Sequence, residues 1–174
     1  PKLQQHTGVG LTQRETIRPT HVHIHGEFLD KGEEVEIGTP RILHPLEVRG
    51  ITPDRLDLAK WILSEKNGLT PRVTVNRFWQ AFFGPGLVNS DRDFGSQGER
   101  PSHPELLDWL ATEFVNSGWS VKHLQRLIVQ SASYRQSSKA RPELRDRDPY
   151  NTWVAKQNRM RVEAETVRDL ALAT

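Results

Sequence analysis

The chain has 174 residues, a formal charge of +2, 35% hydrophobic residues and 26% charged residues. This balance is too apolar for a disordered chain, and the length suits one compact domain carrying an extended arm. There is no cysteine, which excludes disulfides, thiolate metal sites and a cysteine nucleophile. No apolar run approaches the roughly 20 residues of a membrane span.

Residues 1–18 are polar and aperiodic and read as an arm. They lack the hydrophobic stretch of a signal peptide and an initiator Met, as an internal start would. From Thr20 to Phe28 polar and apolar residues alternate at first, the period of a strand. Asp30-Lys31-Gly32 signals a turn, and Glu33 to Ile37 alternate again, so a small β-ribbon is expected. Pro40, Pro45 and Gly50 then mark an extended connector. The division expected is an arm, ribbon and connector over 1–50 and a helical domain over 51–174, forming one structural unit.

The helical part opens at Thr52-Pro53, an N-cap followed by proline at the first helical position. Leu56, Leu58, Ala59, Trp61 and Ile62 follow, and Asn67-Gly68 closes the helix. Thr70-Pro71 repeats the start signal, and Val75, Phe78, Trp79, Phe82 and Phe83 form a wide apolar stripe. Residues 84–101 contain four Gly and two Pro without helical period. Such a loop inside a compact domain is often functional. Ser102-His103-Pro104-Glu105 reads as a capping box for a helix running to Gly118. Ser120 caps another, residues 137–149 form a second loop, and a last helix is expected from near Asn158. Its end, Ala171-Leu172-Ala173-Thr174, carries no stop signal, as in a domain truncated at its C-terminal end. The fold class expected is mainly α, a bundle-like packing of about five helices with a small N-terminal β-ribbon and an extended arm.

Charge is unevenly placed. From Glu27 to Asp57 there are eight acids and four bases, whereas Lys122 to Arg161 holds ten Lys/Arg against Glu143, Asp146 and Asp148. A basic stretch of this kind can bind nucleic acid or another polyanion, although long Arg side chains also commonly cover solvated helix faces.

Several motifs occur in series: Asn76-Arg77-Phe78-Trp79, Phe83-Gly84-Pro85-Gly86-Leu87-Val88, Asp93-Phe94-Gly95-Ser96-Gln97-Gly98 and Pro101-Ser102-His103-Pro104-Glu105-Leu106-Leu107-Asp108-Trp109-Leu110. Ser117-Gly118-Trp119-Ser120, Ser131-Ala132-Ser133-Tyr134-Arg135-Gln136-Ser137 and Asn158-Arg159-Met160-Arg161-Val162-Glu163-Ala164-Glu165 extend the series. Over residues 20–174 the chain resembles an uncharacterised C-terminal domain family abundant in planctomycetes (domain of unknown function 1553, PSD-type), found with planctomycete cytochrome c-type domains. The resemblance implies a larger exported parent, with a periplasmic or extracytoplasmic location. The partners it implies are other domains of the same polypeptide. Any c-type haem belongs to the parent's other parts, because this segment has no Cys-x-x-Cys-His. The resemblance implies no activity.

Candidate sites follow from residue type and spacing. His21, His23 and His25 would project from one face of a strand and can ligate a divalent metal, with Glu27, His6 or His44 completing the shell. A solvent-facing polar strand face is the alternative. Asp91 and Asp93, in the 84–101 loop, can form an acid–base pair or a hard-cation site, or they can pin the loop through hydrogen bonds. His103, before Pro104, can act as a general base or simply pack at a helix start. Arg161 and Glu165 have the i,i+4 spacing of a helical ion pair. Arg77 or Arg135 can add a cation to that network. A polar cleft between Asp91/Asp93 and these Arg residues is the expected ligand site. The functional expectation is a helical module for assembly or ligand contact. The alternatives are a polyanion binder through 122–161 and a metal-dependent or acid–base hydrolase centred on 84–103.

Overall fold

The computed structural model describes Gly10, Thr12 and residues 16–139 and 141–173. The expected arm over 1–18 falls largely outside these residues. Among the described residues there are six α-helices, five of them of seven residues or more, and one two-stranded antiparallel sheet. The chain is mainly α, as its periodicity predicts. It divides into two compact units, Pro1–Lys66 and Asn67–Thr174.

In the first unit, β1 (Thr20–His23) pairs with β2 (Lys31–Val35), with Thr20 opposite Val35 and His23 opposite Lys31. The reversal comes earlier than the sequence suggests. Residues 24–26 form a 3₁₀ turn, with His25 at φ 52° and Gly26 at φ 78°. Gly26 reaches this left-handed region without a Cβ penalty. The Ile24 N–H donates to Asp30 O at 3.0 Å and the Asp30 N–H to Glu27 O at 3.1 Å. Lys31 and Gly32 therefore belong to β2 and not to the turn.

Helix α1 (Arg55–Ile62) starts two residues later than Thr52-Pro53 suggests, because Asp54 is its cap. Asp54 Oδ1 accepts from the Asp57 N–H at 2.9 Å, and Asp57 Oδ2 accepts from the Asp54 N–H at 3.0 Å. This reciprocal pair satisfies two donors that a helix start leaves orphaned. Arg49 closes on both carboxylates, 2.6 Å from each. The helix ends at Ile62 rather than at Asn67-Gly68.

The second unit holds the apolar core. Helix α2 (Leu69–Phe83) packs on α3 (Pro104–Asn116), and both pack on α4 (Val121–Gln130). Val75, Trp79, Phe83, Leu107, Leu110, Phe114, Leu124 and Ile128 are buried together. These positions recur at the three- and four-residue spacing of a helix face. Each large side chain so buried contributes roughly 1.5–3 kcal/mol. Phe114 anchors two edge-to-face contacts, with Phe78 at 6.3 Å and Trp119 at 5.2 Å. Gly68, and not Thr70, is the N-cap of α2, and Asn67 Oδ1 just before it accepts from the Leu69 and Thr70 N–H groups at 3.2 and 3.4 Å.

Ser102 does not form the expected capping box. Its hydroxyl donates to Leu87 O at 3.2 Å, and α3 starts behind Pro104 without a side-chain cap. Ser120 does cap α4, accepting from the His123 N–H at 3.3 Å. A short α5 (Ala132–Arg135) follows.

The last helix, α6, covers only Ala164–Leu172. Residues 158–163 are not helical, because Asn158 is committed elsewhere: it donates to Phe83 O at 2.7 Å and accepts from Asn151 Nδ2 at 2.9 Å. Arg161 therefore precedes the helix that carries Glu165, and the i,i+4 ion pair expected between them does not form.

Candidate functional site

The site grows from the C-terminal end of α2. Trp79 and Phe83 stack there, with ring centroids 4.0 Å apart and 18° between planes. Gly84, at φ 86°, turns the chain out of the helix. Buried Asn76 then clamps the start of the following loop: its Oδ1 accepts from the Val88 N–H and its Nδ2 donates to Val88 O, both at 2.9 Å. Gly86 passes so close to this amide that a Cβ there would lie 2.8 Å from Asn76 Nδ2 and 2.4 Å from Val88 O.

The other wall is a double turn over residues 148–158. Asn151 and Val154 both adopt left-handed backbone, at φ 54° and 51°, the less common state for a residue with a Cβ. Asn151 Oδ1 accepts from the Ala155 N–H at 3.0 Å, while its Nδ2 donates to Lys156 O at 2.8 Å. The segment is tied to α2 by Gln157 Nε2 and Asn158 Nδ2, which donate to Phe82 O and Phe83 O. Carbonyls at a helix end lack intrahelical partners, so the tie serves both elements.

Between loop and double turn lies a cleft of about 430 Å³. Trp79, Phe83, Leu87 and Val154 provide apolar lining. Asn89, Glu99, Arg100, Ser102, Tyr150 and Thr152 supply polar groups. Among the described residues Arg100 makes no ion pair, and Tyr150 is 83% exposed. Among the described residues, neither side chain has a hydrogen-bond partner.

The 84–101 loop supplies one wall of the cleft, through residues other than Asp91 and Asp93. Asp93 Oδ1 accepts from the Gly95 N–H at 2.8 Å, and the Ser90 hydroxyl donates to Asp93 O at 2.8 Å while accepting from the Glu99 N–H. Asp93 is thus a loop pin, and neither it nor Asp91 lines the cleft. Arg77, Arg135 and Arg161 are exposed side chains without an ion-pair partner among the described residues, as is Glu165. None of these four lines the cleft. The polar cleft expected between the two aspartates and these arginines does not assemble.

His103 Nδ1 lies 3.0 Å from Ser102 Oγ, which is also 3.2 Å from Leu87 O. A carbonyl can only accept. For both contacts to be hydrogen bonds, the serine proton goes to Leu87 O and His103 donates. That is the reverse of a base activating a nucleophile.

Of the three ribbon histidines, His21 and His23 lie on β1, whereas His25 sits in the left-handed turn. His21 Nδ1 is 3.2 Å from Gly32 O, as a cross-ribbon donor. His6 lies outside the described residues. Among the described residues, no three His, Cys, Asp or Glu side chains are grouped to hold a metal ion.

Two features of the first unit have weak sequence signals. The Arg49–Asp54–Asp57 cluster is one, although Asp at both N-cap and N3 is a readable trace. The Asp54 N–H, ahead of the Arg49 guanidinium, holds the Asp57 carboxyl below its ordinary range against the opposing effect of burial. The Asp57 N–H does the same for Asp54, with Arg49 adding to it. The other is His44, which stacks on Trp61 at 4.9 Å and receives the Trp61 indole N–H on its own carbonyl at 2.7 Å.

Among the described residues the fold is mainly α, with a loop-walled cleft at the C-terminal end of α2. The chain belongs to the PSD1 family, described as a protein of unknown function (DUF1553), whose model matches residues 54–174. The match begins at the cap of α1 and takes in both walls of the cleft, and it agrees with the family read from the motifs, over a shorter span than 20–174. No curated protein and no solved structure matches the chain.

Proposed function

We propose that the second unit is a ligand-contact module whose site is the cleft between the 84–101 loop and the 148–158 double turn. The observation that carries this reading is the pairing of an aromatic floor with Arg100 and Tyr150, whose side chains have no partner among the described residues. Apolar pockets with a few polar groups are the usual form of small-molecule sites. The chemistry fits a small polar ligand with one flat or apolar face. That face lies against the Trp79–Phe83 end of the cavity, and its polar edge meets Arg100, Glu99 and the Tyr150 hydroxyl. Saccharides and hydroxylated heterocycles are ligands of this kind.

The resemblance to planctomycete C-terminal domains supports placing this module in a larger exported protein with a cytochrome c-type domain. An export signal and Cys-x-x-Cys-His in the parent reading frame would test that placement.

Ligand-observed NMR against mono- and disaccharides and hydroxylated heterocycles tests the site. Binders should perturb the Trp79 indole resonance. An Arg100→Ala/Tyr150→Ala variant should lose that response while unfolding at the same temperature. A full panel without a binder, or binding indifferent to both substitutions, would sink the reading.

A further inference from the structure

The double turn has a second face. With residues 141–149 it encloses another cavity, of about 610 Å³, and Asn151 lines both. Arg141, Arg145 and Lys156 line this second cavity, together with Pro142, Leu144, Pro149 and Ala155. Among the described residues none of the three cations has an ion-pair or side-chain hydrogen-bond partner. Two carboxylates, Asp146 and Asp148, share the lining. Asp148 is already engaged: its Oδ1 accepts from the Thr152 N–H at 2.7 Å and its Oδ2 from the Trp153 N–H at 2.9 Å. The Asn151 amide is likewise spent on the backbone at Ala155 and Lys156. The wall is therefore fixed from within, and the unpaired cations are left to the cavity.

We propose that this cavity binds a phosphate monoester. Two guanidinium groups and an ammonium offer the forked and point-charge donors that a near-dianionic phosphate takes up. A carboxylate, with one negative charge and two oxygens, would use fewer of them. The proline, leucine and alanine lining receives the organic part of the ester, and Asp146 accepts from a hydroxyl or amine on it. The volume lies within the range of small-molecule pockets. A nucleic acid would instead need a row of cations along an open surface. This site is independent of the aromatic-floored cleft and stands if that reading fails.

Calorimetric titration of the full chain at constant ionic strength provides the test, with phenyl phosphate, inorganic phosphate and benzoate as probes. Phenyl phosphate should bind more tightly than either of the others. Arg141→Ala/Arg145→Ala should weaken it by about tenfold or more, and Arg100→Ala in the other cleft should leave it unchanged. Amide NMR shifts should centre on Arg145, Ala155 and Lys156. Should the double variant fail to fold, Lys156→Gln alone must weaken binding by about threefold or more. No phenyl phosphate binding, binding unaffected by these substitutions, or heparin binding that phenyl phosphate does not displace would overturn the proposal.

Discussion

Asn76 shows how one side chain can set up a site it does not enter. Its amide replaces two backbone partners that Val88 would otherwise lack in a buried position. Asn76→Ala should cost about 2–4 kcal/mol, because it leaves a buried N–H and a buried C=O unpaired. Urea unfolding would measure this, and a loss below about 0.5 kcal/mol would mean that the clamp is not needed. His44 presents the opposite case. Both of its ring nitrogens are buried without a hydrogen-bond partner among the described residues. His44→Phe keeps a ring against Trp61 and should leave stability unchanged or raise it by up to about 1 kcal/mol. A clear loss would reveal a partner for the imidazole. At this scale the sequence was only partly legible. Asn76 stands in a recognisable Asn-Arg-Phe-Trp motif, but its partner is fixed by a fold-back that only coordinates show.

The elements were legible in kind and displaced at their ends. Apolar periodicity located α2, α3 and α4, because a face of Val, Phe, Trp and Leu every three or four residues has to be buried. Their starts were harder to read, since several polar residues near a helix start compete to cap it. Asp54 displaced Thr52, Asn67 and not Thr70 accepts from the first N–H groups of α2, and Ser102 turned away to Leu87. The Asp54–Asp57 box carries a pH signature. Both carboxyls sit below their ordinary value of about 3.9, so the stability they contribute is present above that value. It is lost as pH falls through the depressed native values. The Trp61 environment should therefore change as pH falls below about 4. Asp57→Asn should weaken α1 at neutral pH and flatten that acid transition. An acid transition unaltered in the variant would show that other groups drive it. At the far end of the chain, the expected helix from Asn158 gives way to a tie onto α2. Asn158→Ala should loosen the double turn and cost about 1–2 kcal/mol, seen as faster amide exchange at Ala155 and Lys156.

For the molecule as a whole, the two units differ in what holds them. The second has an apolar core, whereas Asp57 is the one buried residue among those described in the first, whose large apolar side chains stay exposed or half-buried. A fragment of residues 67–174 should unfold cooperatively, and one of residues 1–66 should show no cooperative thermal transition. A sharp transition in the shorter fragment would contradict this. The sequence by itself determined the helical class, the family, the core faces and the non-helical stretch over 84–101. Those properties follow from local periodicity and from glycine and proline, which act within a few residues. Only the tertiary structure decided which polar side chains face a cavity. Asn158 reaches Phe83 across 75 positions, and that long-range tie brings the turn carrying Tyr150 and Thr152 to the cavity that Arg100 also lines, while Asp91, Asp93 and Arg161 do not line it. No spacing rule reaches that far, because the side chains meet through the path of the backbone and not through their separation along it.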